Sequence, residues 1–116
     1  MTAPRLAATL LDIVLACREI EEFGENLSES SFLEGDSLDV KLARYEILHE
    51  LLVIGEAVKR LPGAFGDEHG EVPWTKIAGM RDRLIHRDHD VDLAIVWNVV
   101  REEIPSLRRR LEPLLP

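Results

Sequence analysis

The stretch from Asp36 to Leu61 constrains the fold more than any other part of the chain. Leu38, Leu42, Tyr45, Leu48 and Leu52 recur at spacings of three and four, a line that continues to Val53 or Glu56. Ile47, Leu51, Ile54 and Val58 form a second apolar side. Such spacing has the helical period, and a helix apolar on two sides is either the centre of a bundle or half covered by a partner chain. Asp36 or Ser37 supplies an N-cap, and Pro62-Gly63 stops the run near Leu61. Gly55 and Ala57 allow a neighbouring helix to come close. Glu56 between them is either a buried acid with an arginine partner or the start of a polar face.

The rest of the chain reads as further helices, with no sustained strand-like alternation. A first helix is expected from about Pro4 to Phe23, with Leu6, Leu10, Ile13, Val14, Cys17 and Ile20 inward and Gly24 as its end. A short helical turn over Ser28–Leu33 buries Phe32 and Leu33, and Gly35 breaks it. Residues 62–72 read as the one sizeable loop. Pro73 and Trp74 open the fourth helix, which runs to about Leu84 or Ile85. Asp90 or Asp92 caps a last helix carrying Ile95, Val96, Val99, Val100, Ile104, Leu107 and Leu111, kinked at Pro105. The expected fold is all-α, an antiparallel four- to five-helix bundle in one domain over residues 1–116. A chain of this length can bury about two-thirds of its unfolded surface, enough for one core. Its apolar runs are too short to cross a bilayer, no signal peptide is recognisable, and the lone Cys17 fits a cytoplasmic address with a packing role for the thiol.

Against that helical background, Met80-Arg81-Asp82-Arg83-Leu84-Ile85-His86 stands out, followed by the polar run Arg87-Asp88-His89-Asp90-Val91-Asp92. Arginine binds phosphate bidentately, histidine moves protons near neutral pH, and an acid can orient the histidine. Five positions on one helix amount to about 500°, leaving Arg81 and His86 about 140° apart, whereas Asp82 and His86 share a face. Arg81 and His86 therefore converge only if the helix ends near Ile85 or a second subunit completes the site. The net charge of −8 opposes polyanion binding, but the charge is uneven. Residues 1–75 hold 6 Lys/Arg and 15 Asp/Glu, and residues 76–116 hold 8 and 7. Lys76, Arg83 and Arg87 surround the motif as candidate RNA-binding cations, while Arg108-Arg109-Arg110 reads as a solvated helix end favoured by the helix dipole.

The order of these segments resembles the HepT-like toxins of the HEPN class of ribonucleases. Arg81…His86 is similar to their Arg-x4-His-x-Tyr signature, Ile54-Gly55-Glu56-Ala57 to an Ile-Gly-Glu-Ala segment, and Val72-Pro73-Trp74 and Asp92–Trp97 to two tryptophan landmarks. The resemblance implies a homodimer whose two motifs face one cleft, and metal-independent cleavage of RNA without a cofactor. His86 would exchange a proton with the ribose 2′-hydroxyl or the leaving 5′-oxygen. Arg81 would hold the scissile phosphate, and Asp82 would orient His86. It also implies a partner, an MNT-type nucleotidyltransferase antitoxin of a type VII toxin–antitoxin system, which modifies the motif tyrosine. Here that position is Asp88. The only tyrosine, Tyr45, reads as a packing residue. Glu56 lies in the signature segment and is expected to be a structural partner of Arg81 or Arg83.

Two other readings compete. His86, Asp88, His89, Asp90 and Asp92 contain metal-ligand types, as in a phosphohydrolase, but only His49 and His69 remain to complete such a set. A helical protein of this size also suits a non-catalytic partner or substrate-binding subunit of a nucleotidyltransferase, and the acidic balance favours that role.

Overall fold

The computed structural model describes residues 3–86 and 91–116; the side chains of Ile85 and His86 are outside that description. Helix α1 spans Pro4–Gly24, α2 Glu29–Glu34, α3 Leu38–Lys59, α4 Gly63–Glu68, α5 Trp74–His86, α6 Leu93–Asn98 and α7 Ile104–Leu111. A π-turn over Val99–Glu103 joins α6 to α7, and a 3₁₀ turn over Glu112–Leu114 follows. No strand occurs among the described residues, so the architecture is an all-α bundle as the periodicity predicts.

Helix α3 is central. It packs against α1 on one side and α5 on the other, and α7 returns along α1. The two apolar sides of α3 have different fates. Ile47, Leu51, Ile54 and Val58 enter the core with Leu10, Ile13, Val14, Cys17 and Ile20 of α1 and with Val96, Val99, Val100, Ile104, Leu107 and Leu111. Leu38, Leu42 and Tyr45 remain 71%, 53% and 62% exposed, so Tyr45 does not pack within the single chain. Cys17 is fully buried, and burial, reinforced by Glu21, pushes its thiol up to about 12, which leaves it inert at neutral pH.

The caps are local. Ser28 and Ser31 form a reciprocal capping box on α2. Ser37 caps α3, accepting from the Val40 amide at 3.3 Å, and Asp92 caps α6, accepting from the Ala94 amide at 2.9 Å. Arg44 closes the other end of α2, donating to the carbonyls of Phe32, Ser31 and Gly35 at 2.7, 3.2 and 2.8 Å. Phe32 is thereby held in the core against Trp97, ring centroids 5.1 Å apart, a burial worth about 2–3 kcal/mol.

Three expectations need correction. Residues 62–72 are not simply a loop. Pro62 precedes the short helix α4, Phe65 and Val72 are buried, and Trp74 Nε1 donates to the His69 carbonyl at 3.0 Å. The glycines and acids there signal a turn, but two apolar anchors are enough to wind it. The last helix is not one kinked rod. Pro105 has no amide to give the carbonyl four residues back, and an i→i+5 register upstream of it is the local remedy. The Ile104 amide duly reaches the Val99 carbonyl. Ile95, assigned to the inward face, is 47% exposed.

Candidate active site

The motif helix meets the last two turns of α3. The contact is possible because residue 55 is glycine. A Cβ there would stand 2.2 Å from Arg81 Cβ and 2.7 Å from its Cγ, so the two helices can be this close only where one lacks a side chain. Close approach delivers the Arg81 guanidinium to Glu56, with one terminal nitrogen (Nη2) 2.8 Å from Glu56 Oε2. The other (Nη1) donates to Asp82 Oδ1 at 3.1 Å. Lys59, one turn beyond Glu56, donates to the same Asp82 Oδ1 at 2.6 Å. Two cations and two anions thus alternate across the α3–α5 contact. The Arg81 side chain is 23% exposed and the Asp82 side chain 49%, so the group is open at one side. Hydrogen bonds from Lys59 and then Arg81 hold the Asp82 carboxyl below the usual carboxylate range.

The other motif residues are distributed differently. Lys76 pairs with Glu103 in the π-turn, away from Arg81. Arg83 is exposed at an apolar cleft of about 220 Å³ between α5 and α6, lined by Met80, Leu84, Val91, Ile95 and Val96, with Asp92 beside it. The cations of α5 therefore fan out: Arg81 to α3, Arg83 towards α6, Lys76 to the π-turn. Position 86 belongs to α5, so positions 81 and 86 lie on one continuous helix, about 140° apart. Arg87 and Asp88 lie outside the described residues, as do His89 and Asp90 of the competing metal set. Among the described residues no group of three His, Cys, Asp or Glu could hold a metal ion.

Two side chains make contacts that the sequence pattern does not indicate. Lys59 was not singled out, although its spacing of three from Glu56 places both on one helix face. Arg108 was read as part of a solvated end, yet it is half-buried and forked onto Glu21 of α1, at 2.5 and 3.3 Å, with Glu112 at 2.9 Å. Arg18 also pairs with Glu112. This network clamps the C-terminal helix to α1 and is structural.

A helical bundle in which the helix carrying Arg81 and His86 is braced by a glycine–glutamate segment defines a class: HEPN-like bundles of the ribonuclease kind. Residues 13–114 match the family model described as "Ribonuclease HepT-like", and the chain belongs to that family. It is 39% identical over 105 residues to "Probable ribonuclease HepT" of Thermococcus cleftensis, covering 90% of this chain and 91% of that one. It is 37% identical over 103 residues to a "Putative RNase" of Caldanaerobacter subterraneus subsp. tengcongensis, covering 89% and 88%. A "Putative RNase" of Methanocaldococcus jannaschii is 33% identical over 110 residues, covering 95% and 87%. No solved structure gives a significant match.

Proposed function

We propose that this chain is a metal-independent endoribonuclease, the toxin of a type VII toxin–antitoxin pair, working as a cytoplasmic homodimer. The observation that carries the reading is the 2.8 Å contact between Arg81 and Glu56. It joins the Arg-x4-His helix to the Ile-Gly-Glu-Ala segment, two parts of the sequence 25 positions apart that carry the family resemblance.

In this mechanism His86 takes the proton of a ribose 2′-hydroxyl, whose oxygen attacks the adjacent phosphorus. The P–O5′ bond breaks, and the leaving 5′-oxygen receives a proton from a protonated His86 imidazole or from water. The products are a 2′,3′-cyclic phosphate and a 5′-hydroxyl, and DNA, lacking the nucleophile, is not cut. Arg81 carries the charge that grows on the non-bridging oxygens, aimed by Glu56. Asp82 supports the protonated form of His86 from the same helix face. Because positions 81 and 86 diverge on one chain, His86 of one protomer serves a phosphate held with the help of the other. The exposed line Leu38, Leu42, Tyr45 on α3 is the surface available for that pairing.

The partner is an MNT-type nucleotidyltransferase. With Asp88 in the tyrosine position, neutralisation is by binding alone, or another residue is modified, or the toxin is attenuated, or Asp88 supplies a standing negative charge that partly imitates the modified state. Asp88→Tyr tests the last route: RNA cleavage should rise and adenylylation become possible, and if neither changes the imitation idea is dropped.

The decisive experiment is incubation of total cellular RNA with the purified protein in EDTA, beside a His86→Ala control. Cleavage that survives chelation and is lost in the variant is the expected result. Intact RNA with two folded proteins overturns the ribonuclease reading. It would leave the non-catalytic partner of a nucleotidyltransferase, a reading favoured by the fact that Arg81 is already matched by two carboxylates.

A further inference from the structure

We propose that Lys59 is a second phosphate-binding cation of the site, acting with Arg81 on one phosphate whose place Asp82 Oδ1 now holds. This rests on the ribonuclease reading above and adds a residue to it.

The argument begins with a single oxygen. Asp82 Oδ1 accepts from Lys59 Nζ at 2.6 Å and from an Arg81 terminal nitrogen at 3.1 Å. Those two legs place the donors within about 6 Å of one another, near enough for two oxygens of one phosphate to span them. The two cations reach that point from different helices, Lys59 from the last turn of α3 and Arg81 from α5. Like charges so close are tolerated because Asp82 and Glu56 offset them. The Lys59 side chain is 38% exposed and Asp82 49%, so the lysine stem needs no unpacking to follow an incoming anion. The other lysines do not share this position: Lys76 is committed to Glu103, and Lys41 lies near the start of α3. Arg60, adjacent in sequence, turns to Asp12 of α1 at 3.5 Å. When phosphate arrives, Asp82 is released by Lys59 and remains free to face position 86, four residues on. The lysine thus makes two successive contacts, first with the aspartate and then with the substrate.

The test is the salt dependence of binding to a single-stranded 2′-O-methyl oligoribonucleotide of mixed sequence, which cannot be cleaved. Each phosphate contact on a single strand contributes about 0.7 to the slope of log K against log salt. Lys59→Met should lower the magnitude of that slope by about 0.7, and Lys59→Arg should keep it. A merely structural lysine, acting only by fixing Asp82, would be silent once Asp82 is gone. The same loss must therefore appear when Lys59→Met is placed on an Asp82→Asn background. An unchanged slope in Lys59→Met, or a loss that vanishes on that background, overturns the assignment while wild-type cleavage leaves the ribonuclease reading standing. Wild-type protein that neither binds the oligonucleotide nor cleaves RNA removes both. Melting curves of each variant confirm that slopes are compared between folded proteins.

Discussion

Gly55 and Gly79 show how differently one residue type behaves in two helix interiors. A methyl at Gly55 would collide with the stem of Arg81, whereas nothing among the described residues lies within 4 Å of one at Gly79. Gly55→Ala should destabilise by about 1–3 kcal/mol through overpacking and, by pushing α5 away from Glu56, lower RNA cleavage at least tenfold. Gly79→Ala should stabilise by about 0.5–1 kcal/mol through helix propensity alone. Urea denaturation of both, with a cleavage assay on each, checks the pair; opposite signs in stability are the expected outcome. The signature segment pointed to Arg81 or Arg83 as the partner of Glu56; the contact is with Arg81, and Glu56 is exposed at the edge of the helix contact, not buried. Lys59 was not legible. Nothing in a helix's own pattern says which residue of another helix will face its last turn.

At the level of elements, the periodicity of α3 predicted two apolar sides but could not say which would be buried within one chain. Ile47, Leu51 and Ile54 go inward because α1 and α5 present matching stripes; Leu38, Leu42 and Tyr45 find no such stripe. If that line is the dimer seam, Leu42→Glu should convert a dimer to a monomer in sedimentation without lowering the melting temperature of the protomer, since Leu42 is already 53% exposed. A variant that stays dimeric places the seam elsewhere. The π-turn was visible only as Pro105, a signal for disruption that does not specify its form. The winding of α4 was hidden for the opposite reason: Phe65 and Val72 are single anchors, too few to make a period.

Over the whole molecule, the acidic excess lies in residues 1–75, and part of it meets where α1 packs on α3. Glu50 of α3 is half-buried, with Glu19 of α1, and Glu46 and His49 of its own helix, as neighbours. Burial first, then the hydrogen bond and charge of Glu19, push its carboxyl up to about 7, while His49 opposes the shift. The folded state therefore favours protonated Glu50. That contribution is full below the unfolded carboxylate range and is lost as pH rises to about 7. Glu50→Gln should match wild type near pH 4 and exceed it at pH 8 by about 1 kcal/mol, allowing for solvent screening of a half-exposed group. Melting scans across pH test this, and an advantage that fails to grow with pH would reject it.

The alternating quartet Glu56, Arg81, Asp82 and Lys59 has a consequence for kinetics. Four charges that cancel cast almost no field beyond their own dimensions, and the chain as a whole carries a net charge of −8. A distant RNA is not drawn in, as it is towards proteins that steer their ligands electrostatically. Encounters are slow at low ionic strength and quicken as salt screens the repulsion. Selectivity then resides in how long a strand stays once its phosphate has displaced an internal carboxylate, and not in how often it arrives.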